Sequence, residues 1–200
     1  MSFLQYLING ISIGSVYAII ALGYTMVYGI AKMLNFAHGD VIMVGAYMSY
    51  SVTSYLGLPT AVGIAVAVVV CTLLGVLIEG LAYKPLRGVP SLAVLITAIG
   101  VSYFLQNAAQ LVWGSAPKNF KSIVTMKPMV LFDGQLTITG EVIYTIAASV
   151  LIMVALTLFI NKSRMGKAMR AVSEDRDAAQ LMGINVNQTI STTFAIGSAL

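Results

Sequence analysis

Long apolar blocks separated by short polar intervals run along the whole 200-residue chain. A helix needs about 20 mainly apolar residues to cross the hydrocarbon core of a bilayer. Five blocks approach or exceed this length: residues 6–31, 41–56, 60–83, 90–113 and 142–160. A sixth apolar block begins near Thr189 and continues to Leu200. The pattern predicts an all-α fold, a polytopic integral membrane helical bundle with about five full spans and the start of a sixth.

The composition supports the same class of protein. Hydrophobic residues make up 58% of the chain and charged residues 9%, whereas charged residues make up about 25% of ordinary soluble proteins. The first residues, MSFLQYL, lack the basic segment of a signal peptide, so the first helix is expected to be retained. The net charge of +4 comes from loops between helices and does not indicate nucleic-acid binding.

The longest polar interval, residues 161–188, holds five of the eleven basic residues and three of the seven acidic ones. The loop at residues 84–87 adds two more basic residues, and two predicted spans separate it from the longer interval. Because basic residues in short loops mark the cytoplasmic side, both are predicted to be cytosolic. Residues 115–140 then form an extracytoplasmic loop, in which Asp133-Gly134 predicts a small β-hairpin.

Local signals divide the 161–188 interval into two parts. A basic segment that can form a helical turn or two ends at Val172. Ser173, with the two acids that follow it, is typical of a helix start. Gly183 fits the left-handed residue that follows a helix end. The pattern therefore predicts a short capped helix between Ser173 and Gly183.

One small apolar face is predicted on this short helix. Ala178, Leu181 and Met182 fall at positions i, i+3 and i+4, which share one side of a helix. A mostly polar helix with a compact apolar face is suited to docking into the groove of another protein. The alternative is that the face packs beneath the membrane-embedded part of the same chain.

Residues 32–40, KMLNFAHGD, interrupt the apolar pattern between the first two blocks. Asn35, His38, Gly39 and Asp40 are unfavourable in lipid, and the block after them is short for a full span. A short apolar segment beside a polar interruption is typical of a discontinuous helix that lines a transport pathway. A plain cytosolic turn between two spans fits the same residues, and the sequence leaves both interpretations open.

Other polar residues lie within predicted spans. Glu79 lies about one turn before Lys84 and is predicted to pair locally with Lys84 or Arg87. The fourth block carries a polar stripe that is expected to form hydrogen bonds with neighbouring helices, made of Gln106, Asn107 and Gln110.

The chain offers no residues for catalysis. His38 is the one histidine and Cys71 the one cysteine, so neither an internal disulfide nor a metal cluster is expected. No nucleophile, base and orienting group can be combined from them, and the prediction is that the protein is not an enzyme. No G-x-x-x-x-G-K-[ST] motif is present, so the chain is not expected to bind ATP through a P-loop.

Several strings carry a family likeness. Asp177-Ala178-Ala179-x-x-x-Gly183 resembles the Glu-Ala-Ala-x-x-x-Gly loop motif of ABC importer permeases, with Asp in place of Glu. SRMGKAMRAVSEDRDAAQLMGIN, GYTMVYGIAKMLNFAHGD and LITAIGVSYFLQN resemble the LivH-type permeases of bacterial high-affinity branched-chain amino-acid ABC transporters. The resemblance covers nearly the whole chain and preserves order and spacing.

The resemblance implies a multi-pass subunit of the bacterial inner membrane, with one permease domain over residues 1–200. The implied partners are a sister permease, two cytosolic ATPase subunits that bind the ATP, and an extracytoplasmic substrate-binding protein. The binding protein would deliver leucine, isoleucine or valine, and the chain itself would need no cofactor. The alternative function is a secondary transporter or channel for a small polar solute such as urea, an amide or another amino acid.

The resemblance also assigns two groups of site residues. It implies an ATPase-coupling loop within residues 161–188 that contains Gly166, Arg170, Ala171, Glu174, Asp177, Ala178, Ala179 and Gly183. It implies a translocation pathway beside the interruption, at Asn35, Phe36, His38, Gly39 and Asp40. Two departures stand out: Thr193-Phe194-Ala195 replaces the hydrophobic-Pro tail of the loop motif, and the family continues for further spans, so an incomplete permease is expected.

Overall fold

The structure, a computed structural model, describes residues 2–119, 129–131 and 136–200. Helices dominate these residues, as the apolar blocks predict. The α-helices are α1 (Ser2–Ala31), α2 (His38–Ser54), α3 (Thr60–Ile78), α4 (Ser91–Trp113), α5 (Gly140–Lys162), α6 (Arg164–Glu174), α7 (Arg176–Leu181) and α8 (Val186–Ala199). The first of them is continuous over 30 residues.

The end of α3 departs from regular helix geometry. A single π-helical turn, Glu79–Tyr83, and a 3₁₀ turn, Lys84–Leu86, extend the helix without a gap. A π-helical turn inserted into a helix is rare and is often found at functional sites. Arg87 then takes an extended backbone and ends the helical run.

Two short strands pair within the predicted extracytoplasmic loop. β1 (Met129–Leu131) and β2 (Leu136–Ile138) are antiparallel, with Met129 opposite Ile138. β2 lies against α1. Asp133-Gly134 lies outside the described residues, so the hairpin turn stays a prediction.

The predicted number of full spans is too high for the described part of the chain. Four helices there are long and apolar enough to cross a membrane: Phe3–Ala31, Thr60–Leu86, Leu92–Trp113 and Gly140–Lys162. α2, which corresponds to the short block, has 17 residues. At 1.5 Å per residue it is about 26 Å long, shorter than the ~30 Å hydrocarbon core. The second block is therefore not a full span, because residues 32–37, directly before α2, are not helical.

α8 packs between α1 and α3 at close range. A Cβ atom added at Gly75 of α3 would lie 2.0 Å from Ser198 Oγ of α8, so only glycine permits this approach. Val27 of α1, Ile78 of α3 and Phe194 of α8 are all buried in the shared core. α2 packs along α3, α5 packs on α1, and α6 packs on α5 and α8. This arrangement brings α6 and α7 to the end of the bundle at which α1 stops.

Candidate functional site at the helix break and the coupling loop

Residues 32–37, which we call the helix break, join α1 to α2 without helical structure: Lys32 has a left-handed backbone, and Phe36 and Ala37 form a turn in which the His38 amide donates to the Asn35 carbonyl oxygen at 3.2 Å. Alternate side chains point inward and outward, as in a strand. Ala31, Met33, Asn35 and Ala37 are buried, whereas Lys32, Leu34 and Phe36 are exposed. The alternation explains why this stretch mixes apolar and polar residues without a helical period.

The chain re-enters the bundle after α1 ends. Cys71 Sγ lies 3.4 Å from the carbonyl oxygen of Val41, in the first turn of α2. Cys71 is near the middle of the 27-residue span Thr60–Leu86, so α2 begins at about mid-height of the bundle. A Cβ atom added at Gly23 of α1 would lie 3.2 Å from the His38 ring, which places His38 inside the bundle. The geometry is that of a discontinuous helix rather than a plain turn between two spans.

Polar side chains from other helices contact the helix break and the first turn of α2. The Tyr83 hydroxyl, in the π-helical turn, donates a hydrogen bond to Asn35 Oδ1 at 2.9 Å, and both residues are buried. Gln106 Nε2 of α4 donates to Asp40 Oδ1 at 3.0 Å. Asn35, His38 and Asp40 therefore lie inside the bundle among the predicted pathway residues. Phe36 and Gly39, the other two, are exposed.

Lys32 has a φ of 52°, the left-handed region that non-glycine residues occupy at a cost of roughly 1–2 kcal/mol. Glycine has no Cβ and avoids this cost, whereas a β-branched residue meets a larger one. We therefore expect Lys32→Gly to raise the stability of the detergent-solubilised protein by about 1 kcal/mol and Lys32→Val to lower it. The measurement is the thermal unfolding midpoint.

The control is Lys167→Gly, at an exposed helical position of α6. Glycine there should destabilise by about 1 kcal/mol, the ordinary cost in a helix. A lower unfolding midpoint for both glycine variants would contradict a strained backbone at Lys32.

Residues 161–188, the candidate coupling loop, are mostly helical rather than irregular. Ser163 caps α6, and its Oγ accepts a hydrogen bond from the Gly166 amide at 2.8 Å. A Cβ atom added at Gly166 would lie 2.3 Å from the Ile160 carbonyl oxygen, so α6 folds back tightly on the end of α5. Met169 and Val172 are buried beneath it. This packing fixes the direction in which α7 leaves the bundle.

The predicted start of the short helix is wrong by two residues. Ser173 still belongs to α6, where its Oγ donates to the Arg170 carbonyl at 2.7 Å. Asp175 is the cap of α7, because its Oδ1 accepts from the amides of Asp177 and Ala178 at 2.9 and 3.0 Å. Its extended backbone ends α6 and starts α7 at a single residue. Gly183 has a φ of 82°, which confirms the predicted left-handed residue after the helix.

The apolar face of α7 points away from the chain. Leu181 and Met182 are 88% and 82% exposed, and Ala178 is exposed as well. Ala179, on the opposite side, is 4% exposed and packs on the bundle. The alternative, that this face packs beneath the same chain, is therefore wrong for the described residues.

The remaining residues predicted for the coupling loop differ in their exposure. Arg170, Glu174 and Asp177 are exposed, Ala171 is partly buried and Gly166 is buried. Arg170 and Glu174 line a groove of about 470 Å³ that includes Lys32 at the end of α1, whereas Asp177 lies on α7. The buried members hold α6 and α7 against the membrane-embedded helices.

Arg176, the first residue of α7, is a site residue that was not predicted from the sequence. Its Nη2 donates a hydrogen bond to the carbonyl oxygen of Ala31, the last residue of α1. Burial and the nearby positive charge of Arg87 lower the pKa of Arg176 from its ordinary value. Arg176, Ala31 and Leu86 line a cavity of about 510 Å³ beside the helix break. In the sequence Arg176 is one more charge between two aspartates, and nothing in its spacing indicates a partner 145 residues away.

Glu79 lies at the centre of a second polar group. Its carboxylate pairs with Arg87, as predicted, and not with Lys84. Ser191 Oγ of α8 donates to Glu79 Oε2 at 2.6 Å, and Arg87 also donates to Asn187 Oδ1 of α8. Glu79 is 1% exposed. The group therefore fastens the π-helical turn to the first turns of α8, directly after the coupling loop.

A family model described as "Branched-chain amino acid transport system / permease component" matches residues 6–200. The chain belongs to this permease family. The match confirms the likeness inferred from the sequence strings, and the spanning helices agree with an integral protein of the bacterial inner membrane. No solved structure gives a significant match to the permease.

Three relatives show how far the similarity extends. The permease is 43% identical to the high-affinity branched-chain amino acid transport system permease protein BraD of Pseudomonas aeruginosa, over 99% of this chain and 68% of the relative. It is 43% identical to LivH of Escherichia coli K12, with the same coverage. A probable LivH of Methanocaldococcus jannaschii is 28% identical over 91% of this chain and 58% of that relative. The similarity therefore includes both the helix break and the coupling loop.

Proposed function

We propose that the permease is the membrane subunit of an ATP-driven ABC importer for branched-chain amino acids. The observation that carries this proposal is the exposed apolar face of α7, formed by Leu181 and Met182. Two large apolar side chains on a polar surface mark a protein contact rather than a solvated face. The names of the relatives supply the substrate class.

The partners follow from the same role. Cytosolic ATPase subunits, two per importer, would dock on the outer surface of α7 and bind the ATP. An extracytoplasmic binding protein would deliver leucine, isoleucine or valine, and a sister permease would complete the membrane part. Asp177 lies in the first turn of α7 beside Ala178 and is exposed, and its carboxylate favours a partner groove that has a basic rim.

The helix break is the place at which docking would act on the pathway. Arg176 connects the same short helix to the end of α1 through the Ala31 carbonyl. The non-helical residues that follow lead to Asn35, His38 and Asp40 inside the bundle. This hydrogen bond would transmit a movement of α7 to the helix break, beside the direct packing of α6 on α1. We assign the translocation pathway to this region, with Phe36 and Gly39 on its outer side.

The test is uptake by vesicles that contain the complete importer. We expect leucine uptake that requires ATP and the binding protein and does not require an ion gradient. Leu181→Asp combined with Met182→Asp should weaken ATPase binding to the permease at least tenfold, since a buried apolar anchor contributes about 2 kcal/mol. Ala178→Glu should act in the same direction. The measurements are co-purification of the ATPase subunits and the initial rate of uptake.

Leu56→Asp is the matched control, because Leu56 is 67% exposed in the turn after α2, at the opposite end of the bundle. It should leave ATPase binding unchanged. Uptake driven by an ion gradient without the ATPase subunits would overturn the proposal in favour of a secondary transporter. Normal ATPase binding by the double variant would remove α7 as the docking element.

A further inference from the structure

The C-terminal half of α4 has a polar face that has no role in the function proposed above. Tyr103, Gln106, Asn107 and Gln110 fall at i, i+3, i+4 and i+7, on one side of the helix, and all four are exposed. α4 has 23 residues, so Gln106 and Gln110 lie about 6 and 12 Å beyond its midpoint. Both depths are inside the ~15 Å half-thickness of the hydrocarbon core.

Carboxamide groups at this depth do not face lipid tails, because hydrocarbon offers them no hydrogen-bond partner. The neighbouring side of α4 shows what a lipid-facing surface looks like in this chain. Phe104 and Leu111 are 70% and 88% exposed and fully apolar. The polar face must therefore meet either water or another protein surface.

A carboxylate lies beside this face. Gln106 Nε2 donates to Asp40 Oδ1 at 3.0 Å and to Ser102 Oγ at 3.2 Å. Asp40 is 8% exposed, and no lysine or arginine of the described residues forms an ion pair with it. Gln106 is its one side-chain hydrogen-bond donor there. Within the described residues, Asp40 therefore has one neutral side-chain donor and no cationic partner, although it lies at about mid-height of a membrane bundle.

We propose that Asp40 and Gln106, with Asn107 and Gln110, form a water-accessible binding site for the ammonium group of an amino-acid zwitterion. The inference rests on the proposed function and assigns the chemistry by which the pathway recognises its cargo. Asp40 supplies the missing countercharge for an ammonium ion. The carboxamide N–H groups further along α4 are suited to the carboxylate of the same solute.

Chemistry favours a solute over a partner helix at this face. Two of the carboxamides already bond within the chain: Gln106 to Asp40, and Asn107 Nδ2 to the Tyr103 carbonyl at 2.7 Å. These bonds orient the side chains before any partner arrives, which is typical of a binding site for a small molecule. A passing ammonium ion compensates the Asp40 charge.

The test measures the reactivity of single cysteines in the complete importer in vesicles, in a Cys71→Ser background. Cysteines replace Gln106, Gln110, Phe104 and Leu111 one at a time. We expect a cationic, water-soluble methanethiosulfonate to modify the first two at least tenfold faster than the last two. An anionic methanethiosulfonate should react more slowly at position 106. Asp40→Asn should reduce the cation-to-anion rate ratio at that position about tenfold, equivalent to ~1.4 kcal/mol.

Leucine delivered by the binding protein should slow the modification at position 106. Equal rates on the polar and apolar faces, or a charge ratio that Asp40→Asn does not change, would overturn the inference. Efficient disulfide formation between two copies at position 106 or 110 would also overturn it and assign the face to a permease contact. ATP-driven leucine uptake by the Cys71→Ser importer is measured in the same vesicles. Failure of the labelling pattern with uptake intact therefore leaves the proposed function standing.

Discussion

Replacing Arg176 with glutamine is expected to separate ATP hydrolysis from solute uptake. The apolar face of α7 remains exposed in this variant, so the ATPase subunits should still bind. The hydrogen bond from Nη2 to the Ala31 carbonyl is lost, and with it the contact between α7 and the end of α1. Coupling energies between sites are typically 1–3 kcal/mol, so uptake per ATP hydrolysed should fall about tenfold.

The control is Arg164→Gln, at the exposed start of α6 in the same loop. It removes the same charge from the same loop and should leave the uptake-to-hydrolysis ratio unchanged. Arg176→Lys should restore part of the ratio, since an ammonium group can donate to the same carbonyl in a different geometry. An unchanged ratio in Arg176→Gln, with normal ATPase binding, would show that force reaches the helix break by another route.

Replacing Glu79 with alanine is expected to have the largest effect on stability. The substitution leaves the Arg87 guanidinium without its carboxylate and removes the acceptor of the Ser191 hydroxyl. Arg87 Nε already has no hydrogen-bond partner among the residues that the structure describes. Breaking a buried ion pair from one side typically costs 3–5 kcal/mol, because a buried charge is left uncompensated. The measurement is the thermal unfolding midpoint in detergent, together with the yield of folded protein.

A double-mutant cycle distinguishes the pair from its neighbours. Glu79→Met with Arg87→Met removes both charges and keeps most of the side-chain volume. This double variant should be more stable than either single methionine variant. If the loss of stability in the double variant instead equals the sum of the losses in the two single variants, each residue stabilises the chain through other contacts, such as Arg87 with Asn187.

The sequence predicted the fold class and most helix positions because lipid imposes a strong constraint. Long apolar blocks leave few alternatives to spanning helices. A local partner for Glu79 at Lys84 or Arg87 was also predictable, because both lie within eight residues of it, and the structure selects Arg87, directly after the helical run. Gly183 was predictable for a similar reason, since its left-handed conformation follows from local chemistry.

Features that depend on distant parts of the chain were not predictable. The contacts of Asn35 with Tyr83 and of Asp40 with Gln106 join residues 48 and 66 positions apart. These contacts decide between a discontinuous helix and a plain turn, and the sequence of residues 32–40 fits both. The cap of α7 was misplaced for a local reason: Ser173 and Asp175 are both good caps, and the packing of Met169 and Val172 extends α6 past the serine.

The contact between Arg176 and Ala31 also has a thermodynamic consequence. If docking on α7 changes the affinity of the pathway for solute by some factor, solute in the pathway must change the affinity for the ATPase by the same factor. The importer would then register its cargo from the cytosolic side without any part of the cargo reaching that surface. The guanidinium group of Arg176 on the Ala31 carbonyl oxygen would carry such reciprocity if the non-helical residues from Lys32 onward had two stable arrangements.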